Sequence, residues 1–139
     1  MIVAVFLSSA ITVDNKLEVG KNAPEIETIN GNSVINDEVS EGKTKLISFW
    51  SPKKPASRIA NKNFSLKYGE NSGEDIEFIS ICTDSDEDLM REVMKIDGIN
   101  IDKSYSYSEI SSRVFKDYAV EENPRAFMIS EEGKIISIL

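Results

Sequence analysis

Short apolar runs alternate along the chain with segments of helical periodicity. Residues 46–50 form a nearly continuous apolar run, which is typical of a strand buried on both faces of a sheet. Ile76–Cys82 supplies a second apolar run. Between them, Pro55 precedes apolar side chains at every fourth position up to Tyr68, and this spacing predicts a helix that begins at the proline. A strand–helix–strand unit that feeds a sheet is typical of the α/β class.

A hairpin is predicted at each end of this unit. An Asn-Gly turn at 30–31 separates two short extended pieces, 25–29 and 33–35, which predicts an N-terminal β-hairpin. A Glu-Gly-Lys turn lies between the apolar segments 126–129 and 135–139. This second pair is predicted to close the sheet as an antiparallel hairpin.

Two further helices are predicted between the second strand and the last hairpin. Ser85 and Asp88 form a capping-box pattern before the first of these helices. Its apolar positions are Leu89, Val93 and Ile96, and those of the other helix are Ile110, Val114, Phe115 and Tyr118. The element order therefore predicts one mixed sheet flanked by helices.

Composition excludes several classes of function. The 139 residues suffice for one domain, and 16 basic against 24 acidic side chains give a net charge of −8, which argues against nucleic acid and anionic membrane surfaces as partners. There is no histidine and a single cysteine, Cys82, so a Ser-His-Asp triad, a Cys/His zinc site and an internal disulfide are excluded. The acidic run at 84–88 lacks the glycine and terminal glutamate of a calcium loop and suits a helix N-terminus. We expect no metal and no cofactor.

The first eleven residues are nearly all apolar or small, and small residues at 8–10 follow as at a signal-peptidase site. The run is too short to span a bilayer, so no stable membrane insertion is expected. It carries no positive charge before Lys16, which leaves two interpretations: a signal or its remnant, which we favour, or a terminal strand or disordered tail. We divide the chain into a signal-like or disordered segment, 1–16, and a domain, 17–139. The first interpretation predicts an exported protein of the bacterial periplasm or cell envelope, and the second a cytoplasmic one.

Five segments carry a resemblance to a known family, in order and with intact spacing. They are Val-Gly-Lys-Asn-Ala-Pro at 19–24, Asn-Gly-Asn-Ser-Val at 30–34, the Gly-Lys to Phe-Trp stretch at 42–50, the segment around a proline at 120–129, and Glu-Gly-Lys-Ile at 132–135. Together they resemble the exported or membrane-associated thioredoxins of the TlpA/ResA type, within the AhpC/TSA-redoxin group. The resemblance implies a thioredoxin-like fold, a Cys-x-x-Cys motif at the head of the first long helix, and a cis-proline loop opposite the motif.

The motif itself is absent from this sequence. The family's attacking cysteine falls on Lys54, its resolving cysteine on Ser57, and the tryptophan before the pair on Lys53. The acid that often follows in the family is Ala60 here, and the helix-kinking proline is Lys62. Disulfide exchange needs a thiolate that attacks and a second thiol that resolves, and neither an amine nor a hydroxyl replaces them. We therefore expect a degenerate, non-catalytic member of the family.

Three interpretations of Lys54 and Ser57 remain. They cap and solubilise the start of a helix, or they flank, with Lys53, a groove beside Pro124 that binds an acidic or extended peptide or a protein partner. A lysine nucleophile is the third, and it needs a desolvation that two adjacent exposed lysines do not provide.

The resemblance implies a cis Asn123–Pro124 bond, which would open the backbone of residue 123 toward a passing peptide. Trp50 either lines the same groove or ends its strand in the core. The candidate binding set is Trp50, Lys53, Lys54, Asn123 and Pro124.

Cys82 leaves an enzymatic alternative open. It ends a predicted strand and does not lie at a family nucleophile position, so a buried core residue is one interpretation. The other is a thiol-disulfide oxidoreductase or peroxidase-like enzyme that acts through this single thiol.

The resemblance also implies a helix after the last hairpin, whereas this sequence stops at Leu139. Either the sequence is cut short, or the N-terminal segment or another subunit covers that sheet face, and the last of these interpretations predicts a homo-oligomer.

Overall fold

The computed structural model describes residues 17–36, 42–69, 73 and 75–139. The strands are β1 (Thr44–Trp50), β2 (Ile76–Cys82), β3 (Ser104–Tyr105), β4 (Ala126–Ile129) and β5 (Ile135–Ile138). The α-helices are α1 (Pro55–Tyr68), α2 (Glu87–Asp97) and α3 (Arg113–Asp117). The segment 1–16 lies outside the described residues, so its assignment and the domain boundary at 17 stay predictions.

The strands form one mixed sheet in the order β3-β2-β1-β4-β5. β1 lies at its centre, parallel to β2 and antiparallel to β4. The sequence analysis predicted a mixed sheet with residues 46–50 in a central strand, and both predictions are confirmed. A strand with neighbours on both sides and helices or loops over both faces has no solvated side, which is why its apolar run does not alternate.

The two faces of the sheet carry different cores, because successive side chains point to opposite sides. We call the side of Leu46, Ser48 and Trp50 the helix face, since α1 and α2 pack there. The opposite face holds the larger cluster, whose buried members include Ile47, Phe49, Phe115, Tyr118 and Phe127. The Tyr118 hydroxyl donates to the carbonyl oxygen of Pro24 at 2.6 Å, and this bond attaches the segment before β1 to this core.

The predicted α1 is confirmed in extent, but its buried side differs from the predicted one. Ser57 and Asn61 are its buried residues, while Ile59 is 60% exposed. The side chains that face the sheet are therefore those of Ser57, Asn61, Phe64 and Tyr68. The first two lie one residue after the predicted positions, 56 and 60, and the last two are as predicted. Hydrogen bonds of the Ser57 hydroxyl hold the first turn in this phase.

In α2 the predicted cap is wrong by one residue. Asp86, and not Ser85, is the N-cap, and its carboxylate accepts from the backbone N–H of Leu89 at 3.1 Å. The buried residues are Met90, Val93 and Met94, whereas Ile96, predicted on the apolar face, is 67% exposed. Because one residue turns a helix by about 100°, small shifts of phase exchange buried and exposed positions.

The predicted N-terminal hairpin is a turn with isolated bridges and not a pair of strands. Glu27 pairs with Ser33, and Thr28 pairs with Ile110. That second bridge takes Ile110 out of the predicted third helix, so α3 is only five residues long.

Residues 20–23 lie along the outer edge of β5. The N–H of Gly20 donates to the carbonyl oxygen of Ile135 at 2.7 Å, and the N–H of Ile135 donates to that of Lys21 at 2.9 Å. Part of the sheet edge is thus paired within the chain, although Ile136 and Leu139 stay exposed. The homo-oligomer stays a prediction.

Candidate functional site

Three loops meet where the parallel strands β1 and β2 end. Residues 51–54 connect β1 to α1, and residues 83–86 connect β2 to α2. The N–H of Thr83 donates to the carbonyl oxygen of Trp50 at 2.8 Å, and the N–H of Phe49 donates to that of Arg125 at 3.1 Å. The second contact places the loop before β4 beside the other two. This is the edge at which open α/β sheets bind their ligands.

Ser57 is a structural residue of this site. It is 8% exposed, and its hydroxyl oxygen accepts from the N–H of Ser51 at 3.0 Å. The same hydroxyl lies 2.8 Å from the carbonyl oxygen of Lys54, to which it donates. A buried hydroxyl with its donor and acceptor both engaged is not available for chemistry on a ligand. The geometry agrees with the capping interpretation of this residue.

Lys54 connects the two sides of the site. It is the N-cap of α1 but makes no side-chain cap, and its ammonium reaches across to donate to the carbonyl oxygen of Glu122 at 2.7 Å. Its neighbour Lys53 points elsewhere, with its ammonium 3.5 Å from a carboxylate oxygen of Asp84. Lysine side chains thus tie the loop after β1 to both neighbouring loops. Because both lysines are exposed, each contact contributes at most about 1 kcal/mol.

The predicted cis bond at Asn123–Pro124 is wrong. Among the described residues there is no cis peptide bond, and Pro124 follows a trans bond. An X–Pro bond favours trans by about 0.5–1 kcal/mol unless surrounding contacts require the other isomer. Here the neighbouring carbonyl of Glu122 points to Lys54, a contact that a chain with cysteine at position 54 could not make.

A small pocket opens between α1 and the end of β4. Its volume is about 130 Å³. The apolar lining residues are Phe49, Ala56, Ala60, Phe64, Pro124, Ala126 and Leu139, and the polar ones are Ser48, Ser57 and Arg125. We call this space the proline pocket. Of the candidate binding set, Pro124 lines it, next to Ser57 from the motif positions, whereas Lys53, Lys54 and Asn123 are not among its lining residues.

Trp50 is not part of the pocket. It is 1% exposed and packs in a cluster with Cys82 and with three residues of α2, which are Met90, Val93 and Met94. Of the two interpretations offered for this residue, the core position is the observed one. Trp50 lies on the helix face, as Ser48 does, but its side chain packs under α2 beside Cys82 and not against α1 and the proline loop.

Cys82 lies in the same cluster, and its side chain is completely buried. The sulfur's polar neighbours are the backbone N–H and carbonyl oxygen of Asp84, at 3.4 and 3.5 Å. Burial raises the pKa of the thiol to about 11, with smaller contributions from the charges of Asp84 and Asp86. At neutral pH the group is therefore a protonated, inaccessible thiol, which is the opposite of a nucleophilic cysteine.

Sequence reasoning missed most of the pocket wall. The sequence pattern predicted an apolar helix side for Ala56, Ala60 and Phe64, and an exposed strand end for Leu139. It did not predict a shared pocket. The two alanines one helical turn apart were the available signal, since small side chains leave space beside a helix. No local signal marked the carbonyl oxygen of Glu122, which is 68 positions from the lysine that binds it.

The described residues include no group of three acidic or cysteine side chains placed to hold a metal ion. In the acidic run, Asp86 caps α2, and Asp84 accepts from the N–H of residue 86 at 2.8 Å. These carboxylates serve the helix start, as their position suggested. No helix in the described part of the chain has the length and apolar character needed to cross a membrane.

No protein-family profile matches the sequence, and no curated protein matches it significantly. Solved structures do. A thioredoxin-like protein from Parabacteroides distasonis is 26% identical, with a TM-score of 0.67, over 87% of this chain and 86% of that one. The thioredoxin domain of a thiol-disulfide oxidoreductase from Bacteroides vulgatus is 21% identical, with a TM-score of 0.63, over 88% and 89%. A secreted disulfide oxidoreductase from Mycobacterium tuberculosis is 19% identical, with a TM-score of 0.60, over 84% and 82%.

These similarities confirm the thioredoxin-like fold. Several of the similar structures are described as thiol-disulfide oxidoreductases, whereas this chain has one cysteine, too few for the paired motif.

Proposed function

We propose that this thioredoxin-fold chain is a non-catalytic module that binds an extended peptide or a partner protein in the bacterial cell envelope. The observation that carries the proposal is the structural role of the two residues that stand at the family's cysteine positions. Ser57 is used to hold the start of α1, and Lys54 is used to hold the loop before Pro124. Both lie beside an apolar pocket that remains open to solvent.

The absence of catalysis follows from where the reactive groups are. Dithiol exchange needs two sulfurs within reach of each other, and this chain has one. That sulfur belongs to Cys82, which is buried in a different cluster and has a raised pKa. No observation favours an enzyme that acts through this single thiol.

Binding is supported by the shape of the site. The proline pocket has apolar walls and lies between a rigid helix and the end of β4, next to the loop that carries Pro124. An apolar recess with a few polar groups at its rim is the usual form of a ligand site. An extended segment that passes the loop would place a side chain into this recess.

Location outside the cytoplasm is part of the proposal. One of the similar structures is described as a secreted protein, and residues 1–11 have the composition of a signal's apolar region. The net charge of −8 agrees with a protein partner better than with an anionic surface.

The test is a nuclear magnetic resonance titration of the ¹⁵N-labelled full chain with reduced, carboxymethylated α-lactalbumin. This unfolded protein offers many extended segments and has no thiol, so any binding is non-covalent. We expect the largest shifts at residues that line the proline pocket, such as Ala56, Ala60 and Ala126. Ala60→Arg, which fills the pocket, should abolish them. Asn63→Arg adds the same charge at an exposed position of the same helix and should leave them unchanged.

Shifts confined to other surfaces, or shifts that persist in Ala60→Arg, would contradict the proposed site. Catalysed reduction of insulin disulfides by the wild-type chain would contradict the non-catalytic assignment.

A further inference from the structure

The proline pocket has the volume of one aliphatic side chain. A water molecule occupies about 30 Å³ of liquid, so 130 Å³ corresponds to about four groups of that size, as in the side chain of leucine. An alanine methyl would leave most of the pocket unfilled, and an indole would not fit. The pocket can therefore discriminate among ligand side chains by their size.

Lys54 connects the two elements that form the walls of this pocket. It directly precedes the helix turn that supplies Ala56 to one wall, and its ammonium bonds the loop that supplies Pro124 to the other wall. The ammonium is thus held by a contact within the protein to the loop that supplies Pro124, although Lys54 does not itself line the pocket. A ligand side chain in the pocket would have its flanking residues next to this group.

The ammonium groups of Lys54 and its neighbour Lys53 have different partners. Lys53 lies beside the carboxylate of Asp84, which compensates its charge. Lys54 donates to a neutral backbone carbonyl, and it forms no salt bridge with a described residue. An ammonium has three N–H donors, so one bond to Glu122 leaves two for a ligand. A carboxylate is the acceptor that such a group binds most strongly.

We infer that the proline pocket binds a leucine-sized side chain of an extended peptide and that Lys54 binds a carboxylate on the residue beside it. This inference rests on the proposed function and adds the chemistry of the ligand. Recognition is local, because the chain as a whole is acidic and repels an acidic peptide at a distance.

Four blocked pentapeptides test the inference, each with one varied pair of residues between glycines: Leu-Asp, Leu-Asn, Ala-Asp and Trp-Asp. They are titrated into the ¹⁵N-labelled full chain, with signals of the pocket residues as the readout. We expect Leu-Asp to bind about 10-fold more tightly than Leu-Asn, because a hydrogen bond between two opposite charges replaces one between the ammonium and a neutral amide. Ala-Asp and Trp-Asp should each bind at least about 10-fold more weakly than Leu-Asp, because one leaves the pocket unfilled and the other does not fit.

The matched variants are Lys54→Gln and Lys62→Gln. Both remove one positive charge from the region of α1, but Lys62 lies on the exposed side of the helix, away from the pocket. Lys54→Gln should bind Leu-Asp and Leu-Asn equally, and the ¹⁵N spectrum of the free variant shows whether it is folded. Lys62→Gln should keep the preference for Asp. Raising the salt concentration should reduce that preference in the wild type.

Equal binding of Leu-Asp and Leu-Asn by the wild type would overturn the inference and leave the proposed function standing. The same holds if carboxymethylated α-lactalbumin binds at the pocket while none of the pentapeptides does. If neither the protein nor any peptide binds there, the proposed function itself is wrong.

Discussion

The buried thiol gives the sharpest quantitative prediction, because its reactivity separates a binding module from a single-thiol enzyme. Cys82 is completely buried, and its pKa is raised from 9.0 to about 11. At pH 8 roughly 0.1% of such a thiol is ionised, against roughly 9% for a thiol with a pKa of 9.0. Ionisation alone therefore slows reaction with a disulfide reagent about 100-fold. Burial slows it further, since the reagent must wait for the core around β2 to open.

The assay compares labelling of the native chain by dithionitrobenzoate with labelling in guanidinium chloride, at one pH and one reagent concentration. Asn63→Cys in a Cys82→Ser background is the accessible control and should react at the rate of the unfolded chain. We expect native Cys82 to react more than 100-fold more slowly than this control. A native rate within about 10-fold of the control would refute the assignment of Cys82 to the core and revive the enzymatic alternative.

The same shift predicts how stability responds to alkaline pH. The folded-state pKa of Cys82 is raised, so the unfolded chain loses this proton first as the pH increases. The contribution to stability is full below pH 9.0 and is lost as the pH rises through about 11. The difference in unfolding free energy between the wild type and Cys82→Ser should change over that range. A difference that stays constant between pH 8 and 11 would contradict the burial of the thiol.

Two further substitutions test the supports of the site. Ser57→Ala leaves the buried N–H of Ser51 without its acceptor and should lower the free energy of unfolding by about 1–3 kcal/mol, measured by urea denaturation; no loss would show that the hydroxyl is dispensable. Asp97→Asn removes the two-bond ion pair with Arg58 that joins α1 to α2. The Arg58 guanidinium lowers the pKa of Asp97, so the stability that this pair adds is present above the carboxyl's unfolded pKa and is lost as the pH falls through its folded pKa. Thermal denaturation should therefore separate wild type from variant at pH 7 and bring them together in acid, and a gap that persists in acid would contradict the role of the charge.

The central part of the fold could be predicted from the sequence because residues close together in the chain determine its strands and helices. The unbroken apolar run of β1 indicated a strand with neighbours on both sides, and Pro55 marked the start of α1. The wrong predictions concerned which side of each helix is buried and which residues distant in the sequence are in contact. The capping pattern at 85–88 suited two adjacent residues, of which Asp86 is the cap. Met90, Val93 and Met94 form the buried side of α2, and Ile96 is exposed.

The candidate site was harder to predict because its geometry depends on partners distant in sequence. Aligning Lys54 and Ser57 with the missing cysteines located the site correctly on the fold. The cis peptide was expected from the family resemblance, whereas here the bond is trans and Lys54 donates to the carbonyl oxygen of Glu122, a contact that a cysteine at position 54 could not make. The orientation of Trp50 followed from the register of the sheet, which the sequence left open.

The most direct test of the whole account is the initial rate of insulin-disulfide reduction in dithiothreitol, measured for the wild type and for Lys54→Cys/Ser57→Cys. The substituted positions lie three residues apart at the start of α1, which is the spacing of the Cys-x-x-Cys motif at a helix N-terminus. We expect the wild type to match the uncatalysed rate and the double variant to exceed it. A wild-type rate above the uncatalysed one, or a folded double variant that remains inactive, would contradict the claim that these two residues occupy the place of the lost sulfurs.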